Sequence, residues 1–341
     1  DELLGQMTLQ EKVGQMCQIH FGTVAQAEGE ERIRQGRAGS VLTLYGAAEI
    51  NRAQRIAVEE SRLGIPLIFG NDVIHGYRTI FPIPLAESCT WDVALVEETA
   101  RIAAEEATAD GTNWPFAPMI DVCRDPRWGR IAEGAGEDPV LGAAMARARV
   151  RGFQAANLES GRKMVACPKH YVAYGGAESG KDYNTVDISE RSLRDVHLPS
   201  FRAAIEEDAG TIMSSFIEIA GVPVSANPFI LDTVLRQEWG FPGVVLSDWN
   251  AVGELIPHGV AGDLKEAARL AALAGVDMDM VADAYHFHLA QLVEEGAVPL
   301  AVVDRAVGRI LRLKVLLGLF EAPYVDEGLA GQVILKPKFW Q

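Results

Sequence analysis

Residues 240–249 read Gly240-Phe-Pro-Gly-Val-Val-Leu-Ser-Asp248-Trp249. A turn through Phe241, Pro242 and Gly243 opens onto a short apolar run, which ends in an acid beside an aromatic. A parallel strand buried on both faces reads as such a continuous run. A carboxylate at its carboxyl end faces the mouth of an α/β fold, where ligands bind. An acid next to a flat ring suits a sugar, one group attacking the ring carbon and the other packing on its apolar face. A lone strand-end Asp more often caps the next helix. That reading loses ground here because several other strand ends carry polar groups.

The same alternation recurs along the chain. Strands are expected at 13–20, 40–44, 65–71, 113–117, 164–169, 211–216, 244–248 and 276–280. Helical spacing fills 47–61, 94–109, 139–156, 190–207, 228–238, 264–274 and 299–317. Alternating strand and helix imply a parallel sheet. Eight units in 341 residues fit an α/β (β/α)8 TIM-like barrel, with the first two strands as its irregular part. An open doubly wound sheet fits less well, because no Gly-rich phosphate turn follows an early strand.

In a barrel the strand ends converge. Asp72 follows the third strand, Arg130 lies in the long insertion after the fourth, and Lys169 and His170 end the fifth. Met213 and Phe216 end the sixth, and Asp248 and Trp249 the seventh. Such a set suits an uncharged, polyhydroxylated ligand, because each hydroxyl pairs with a polar group that an analogue would leave unpaired. Each residue also has an ordinary reading. Asp72 could cap a helix, Arg130 could pair with Glu133, and His170 could be a satisfied core histidine. Lys169 is the hardest to dismiss, since a buried Lys needs a partner. Glu133, Glu137 and Asp138 read as loop-holding residues, and Trp91, Trp114 and Trp239 as structural.

Composition narrows the rest. The formal net charge of -16 argues against a nucleic-acid partner. No apolar run reaches a membrane span, and no basic-then-apolar leader opens the sequence. Cys17, Cys89, Cys123 and Cys167 form no CxxC pair, which disfavours zinc. His286 and His288 are two apart, as on a strand. No cofactor is expected.

Together these segments resemble the barrel domain of family 3 glycoside hydrolases, the β-glucosidase group. The likeness rests on Met7–Met16, Asn71–Gly76, Asp125–Arg130 with Glu133–Pro139, Lys169-His170, Lys181-Asp-Tyr-Asn184, Met213–Asn227, Gly240–Trp249 and Gly275–Met280. The resemblance implies Asp248 as the nucleophile of a retaining, exo-acting β-glucosidase. It implies that Asp72, Arg130, Lys169 and His170 hold the terminal sugar, with Met213, Phe216 and Trp249 lining the pocket. It also implies a β-glucoside or oligosaccharide substrate and a secreted or periplasmic location.

Two departures qualify it. Two-domain members take their acid/base from a Glu on a second α/β domain, and single-domain members from a His in the loop after the fifth strand. Here the barrel spans 1–325, a tail spans 326–341, and that second domain is expected to be absent or to act as a separate partner. The loop after the fifth strand holds no His, only Glu178 and Asp182. The family's Ser-Phe-Asn-Glu reads Ser215-Phe-Ile-Glu218, as if Ile217 repaired an exposed surface. An isolated or engineered sugar-binding barrel without significant catalysis is therefore the alternative.

Overall fold

The computed structural model describes residues 2–340. They form two compact units, one built from the residues up to 71 with 225–325, the other from 72–224 with 326 onward.

In the first unit, β1 (Cys17–His20), β2 (Ser40–Leu42) and β3 (Ile68–Asn71) run parallel, with Gln18 opposite Ser40 and Ser40 opposite Ile68. The strand Asp279–Met280 flanks β1 on its other side, and Leu246, ending the strand Val244–Leu246, bridges Met278 in parallel. Five neighbouring parallel positions therefore form a half-barrel. Their interiors are buried throughout, so the runs are apolar rather than alternating. Ile19, Val41, Leu67 and Phe69 pack with Ile33, Ile50, Ile56 and Val325. The first two strands, expected to be irregular, pair in regular register.

The expected strand at 13–20 is half helix. Thr8 caps the helix Leu9–Gln15, and Glu11 returns the bond to the Thr8 backbone. This capping box satisfies two end donors and nucleates a helix. Only from Cys17 does the chain extend. Gly39 is required at the close approach that follows, since a Cβ there would lie 2.2 Å from the Gln15 carbonyl oxygen.

In the second unit, residues 113–120 pair with 165–169. Val165 N–H donates to Asn113 (3.0 Å), Cys167 N–H to Ala117 (2.8 Å), and Ile120 N–H to Lys169 (2.8 Å). A third segment joins through Tyr171 N–H to the Met213 carbonyl (2.7 Å) and the parallel Tyr171–Ser214 bridge. Asp92 and Asp138 cap the helices Val93–Ala109 and Pro139–Phe153, so Asp138 does hold its loop. The tail packs on the first of these helices. Leu335 N–H donates to Glu106 Oε1 (2.7 Å), and Lys336 and Lys338 pair with Glu159.

Three further expectations change. His286 and His288 lie on the helix Ala284–Glu294, whose start the adjoining acids and small residues obscured. Trp91 stands 75% exposed, whereas Trp114 is buried with its indole N–H on Thr211 (2.8 Å). Ile217 is fully buried, so it repairs no exposed surface.

Candidate active site

The fifth apolar run carries Lys169 and His170 into the second unit's interior. The Lys169 side chain is 5% exposed, and its Nζ lies 2.6 Å from Asp72 Oδ1. Burying an ammonium group demands such a counter-charge. The Asp72 carboxylate is 61% exposed, so one side of the pair remains open to a ligand. Neither side chain is a helix cap.

His170, the next residue, is buried. Its backbone N–H donates to Asp121 Oδ2 at 2.9 Å, and its ring Nδ1 lies 2.9 Å from the same oxygen. Burial pushes the Asp121 carboxyl up to about 7. Burial also drives His170 well below its ordinary value, and the nearby Arg130 and Lys169 charges add to this. The imidazole is therefore neutral at neutral pH.

Arg130 does pair with Glu133, through two bonds of 2.6 and 2.9 Å. Its guanidinium also sits 5.4 Å from the centroid of the Tyr174 ring. Burial opposes its charge, but Glu133 outweighs that and raises its pKa. Burial, then Asp182, pushes the Tyr174 phenol above its ordinary value. The Tyr174 ring meets His170 edge-on at 4.9 Å, and Phe216 lies 6.5 Å from His170. Met213 is 1% exposed and anchors its strand to Tyr171 through its carbonyl.

Asp248 and Trp249 belong to the first unit. Asp248 is 8% exposed at the end of the Val244–Leu246 strand, and its Oδ1 accepts the Trp249 N–H at 2.6 Å. Trp249 is 41% exposed and meets His20 edge-on at 5.3 Å.

The residue that sequence reasoning passed over is Asp121. It closes the run Phe116-Ala-Pro-Met-Ile-Asp121, the same apolar-then-acid pattern that marks Asp248. Ending the fourth strand at Ala117 hid it. Among the described residues, no three His, Cys, Asp or Glu side chains group to hold a metal ion, and Cys17, Cys89, Cys123 and Cys167 form no disulfide.

Residues 8–313 match the model of the glycosyl hydrolase family 3 N-terminal domain. The chain belongs to glycosyl hydrolase family 3. It is 39% identical over 328 residues to a periplasmic β-glucosidase of Salmonella typhimurium, covering 96% of this chain and 43% of that one. A putative β-xylosidase of Formosa agariphila is 34% identical, over 96% of this chain and 46% of its own. The crystal structure of a β-glucosidase from Listeria innocua superposes with a TM-score of 0.93 at 43% identity, over 99% of this chain and 49% of that one. The family 3 chain described here thus spans under half the length of these relatives.

Proposed function

We propose that this family 3 chain is the sugar-gripping barrel of a retaining, exo-acting β-glucosidase, with Asp248 as nucleophile. The observation that supports it most is the cluster of Lys169, Asp72, neutral His170 and Arg130, which offers donors and acceptors suited to an uncharged polyol. The Listeria innocua relative was solved in complex with glucose, which fits this reading. We also propose the family's (β/α)8 barrel as the fold class of this chain.

In this scheme a carboxylate oxygen of Asp248 bonds to the anomeric carbon as the glycosidic C–O bond breaks. The departing oxygen takes a proton from a general acid, and water then hydrolyses the glycosyl ester. Retention needs two carboxyl groups about 5–5.5 Å apart. Asp182 accepts the Trp128 indole N–H at 2.9 Å and holds its own loop, so it is a poor acid. We infer that the acid comes from outside the loop after the fifth strand, as from a separate second domain. Without it, turnover falls about 10²–10⁴-fold, least for aryl glucosides whose leaving groups need no proton. A non-catalytic sugar-binding scaffold is disfavoured because Asp248 is intact.

Matched relatives are named as periplasmic and lysosomal enzymes, which favours an export route. Among the described residues, no helix is long and apolar enough to cross a membrane.

The test is a 2-deoxy-2-fluoro-glucoside with a good leaving group, read by intact mass. A covalent adduct absent from Asp248→Ala supports the nucleophile. Glucose binding without any adduct sinks it.

A further inference from the structure

The loop that follows the fifth strand takes no part in that chemistry, yet its construction is unusual. Tyr183 sits at its tip, 47% exposed, with φ of 59°. Left-handed backbone is uncommon for a bulky residue and marks an outlier held by its surroundings. The bracing is visible on both sides. Asp182 is held by the Trp128 indole, Glu178 N–H donates to the Thr185 carbonyl at 3.0 Å, and the Thr185 hydroxyl donates to Glu218 at 2.8 Å. Gly180 lies so close to the Trp128 backbone that a Cβ would come within 2.7 Å of its nitrogen.

This bracing fixes an aromatic ring that the fold itself leaves half in solvent. The Tyr183 ring meets Phe216 edge-on at 4.5 Å and Tyr174 at 6.3 Å. Phe216 in turn stands beside His170. The rings therefore step outward, from buried His170 through buried Phe216 to exposed Tyr183. At the inner end lie the groups that suit sugar hydroxyls. At the outer end lies a rigid apolar face with an adjoining hydroxyl.

We propose that Tyr183 is a specificity-determining residue, which packs against a ring carried next to the gripped sugar. The proposal rests on the glycosidase reading above. The recognised chemistry is a flat ring with an apolar face. Either an aryl aglycone or the C–H face of a second sugar presents it. Tyr183 adds contact area at low entropic cost, because only two side-chain torsions have to be ordered.

The test is equilibrium binding of three sulfur-linked probes that are not hydrolysed: methyl 1-thio-β-glucoside, phenyl 1-thio-β-glucoside and thiocellobiose. Each is titrated into the parent chain, Tyr183→Ala and Tyr183→Phe. We expect the parent to prefer a ring-bearing probe over the methyl glucoside by about 3–10-fold, the worth of one ring contact. Tyr183→Ala should abolish that preference while holding methyl glucoside affinity within about 2-fold, and Tyr183→Phe should restore it. Selective loss for the phenyl probe identifies an aryl aglycone, and selective loss for thiocellobiose a second sugar. Unchanged ratios in Tyr183→Ala overturn the proposal. So does an equal fall for all three probes with Tyr183→Phe as weak as Ala, because the tyrosine would then only brace its loop. A parent chain that binds none of the probes overturns the glycosidase reading as well.

Discussion

A single oxygen, Asp121 Oδ2, receives the His170 backbone N–H and faces the His170 ring nitrogen Nδ1, both at 2.9 Å. One buried acid thus fixes both the main chain and the ring plane of His170, which we propose to serve the sugar site. Asp121→Ala leaves buried groups unpaired and should weaken glucose binding about 10–100-fold, with Asp121→Asn less affected. Isothermal titration checks this, and equal affinities in parent and Ala variant contradict it.

The same acid carries a stability signature. Its folded-state pKa of about 7 lies above the ordinary 3.8, so the native state holds the proton more tightly. Its contribution is complete below about 4 and is lost as pH rises through 7. Asp121→Asn should therefore gain melting temperature relative to the parent at pH 8 compared with pH 4. A difference independent of pH counts against the assignment.

Lys169 and Asp72 should separate folding from binding. Lys169→Met removes a buried charge and keeps its volume, so the melting temperature should hold or rise while glucose affinity falls. Asp72→Ala strands the buried ammonium and should cost about 1–3 kcal/mol, tempered by the exposure of Asp72. Denaturant unfolding and glucose titration on both variants decide the matter. Equal losses in both assays would show that the pair acts as a unit.

Lys314 lies fully buried in the helix Leu300–Leu316, its Nζ 2.6 Å from Gln15 Oε1. Burial pushes its pKa down from 10.5 to about 7. The unfolded chain therefore binds the extra proton between those values, and stability rises with pH across that window. The difference is on the order of 3–5 kcal/mol. Lys314→Met should raise the melting temperature near pH 7 and flatten its rise toward pH 10. A steep rise that persists in the variant would place the titrating group elsewhere.

Glu106 is fully buried, and both its oxygens are occupied. Oε2 accepts the Arg78 and Thr79 N–H groups at 2.8 and 2.7 Å, and Oε1 accepts the Thr79 hydroxyl and the Leu335 N–H, each at 2.7 Å. Glu106→Ala should cost about 2–4 kcal/mol, since several buried donors lose their acceptor. Hydrogen exchange should quicken at Arg78, Thr79 and Leu335 together, and exchange confined to one of them would refute a shared anchor.

Much of this was legible in the residues. Continuous apolar runs ending in polar groups placed Asp72, Lys169, His170 and Asp248 at strand ends, because parallel strands have no solvent face to alternate toward. The same logic failed at 13–20, where a local capping box overrode the apolar run. It also stopped short at Ala117, because Pro118 reads as a strand end, and so it passed over Asp121. Exposure was harder to read than position. Trp91 read as structural and Ile217 as the repair of a surface, yet Trp91 is exposed and Ile217 buried, since burial depends on partners distant in sequence.

The family match stops at residue 313, but the buried packing continues in both units. The next residue is the buried Lys314. Val325 then exchanges two bonds with Asn51, through its carbonyl at 2.9 Å and its N–H at 2.8 Å, and Leu335 completes Glu106. A shortened version trimmed at the homology boundary would thus strip partners from the buried Glu106 carboxylate and from the buried amides of Gln15, Asn51 and Gln54. Anyone grafting a foreign partner onto this chain should make the junction after Leu335.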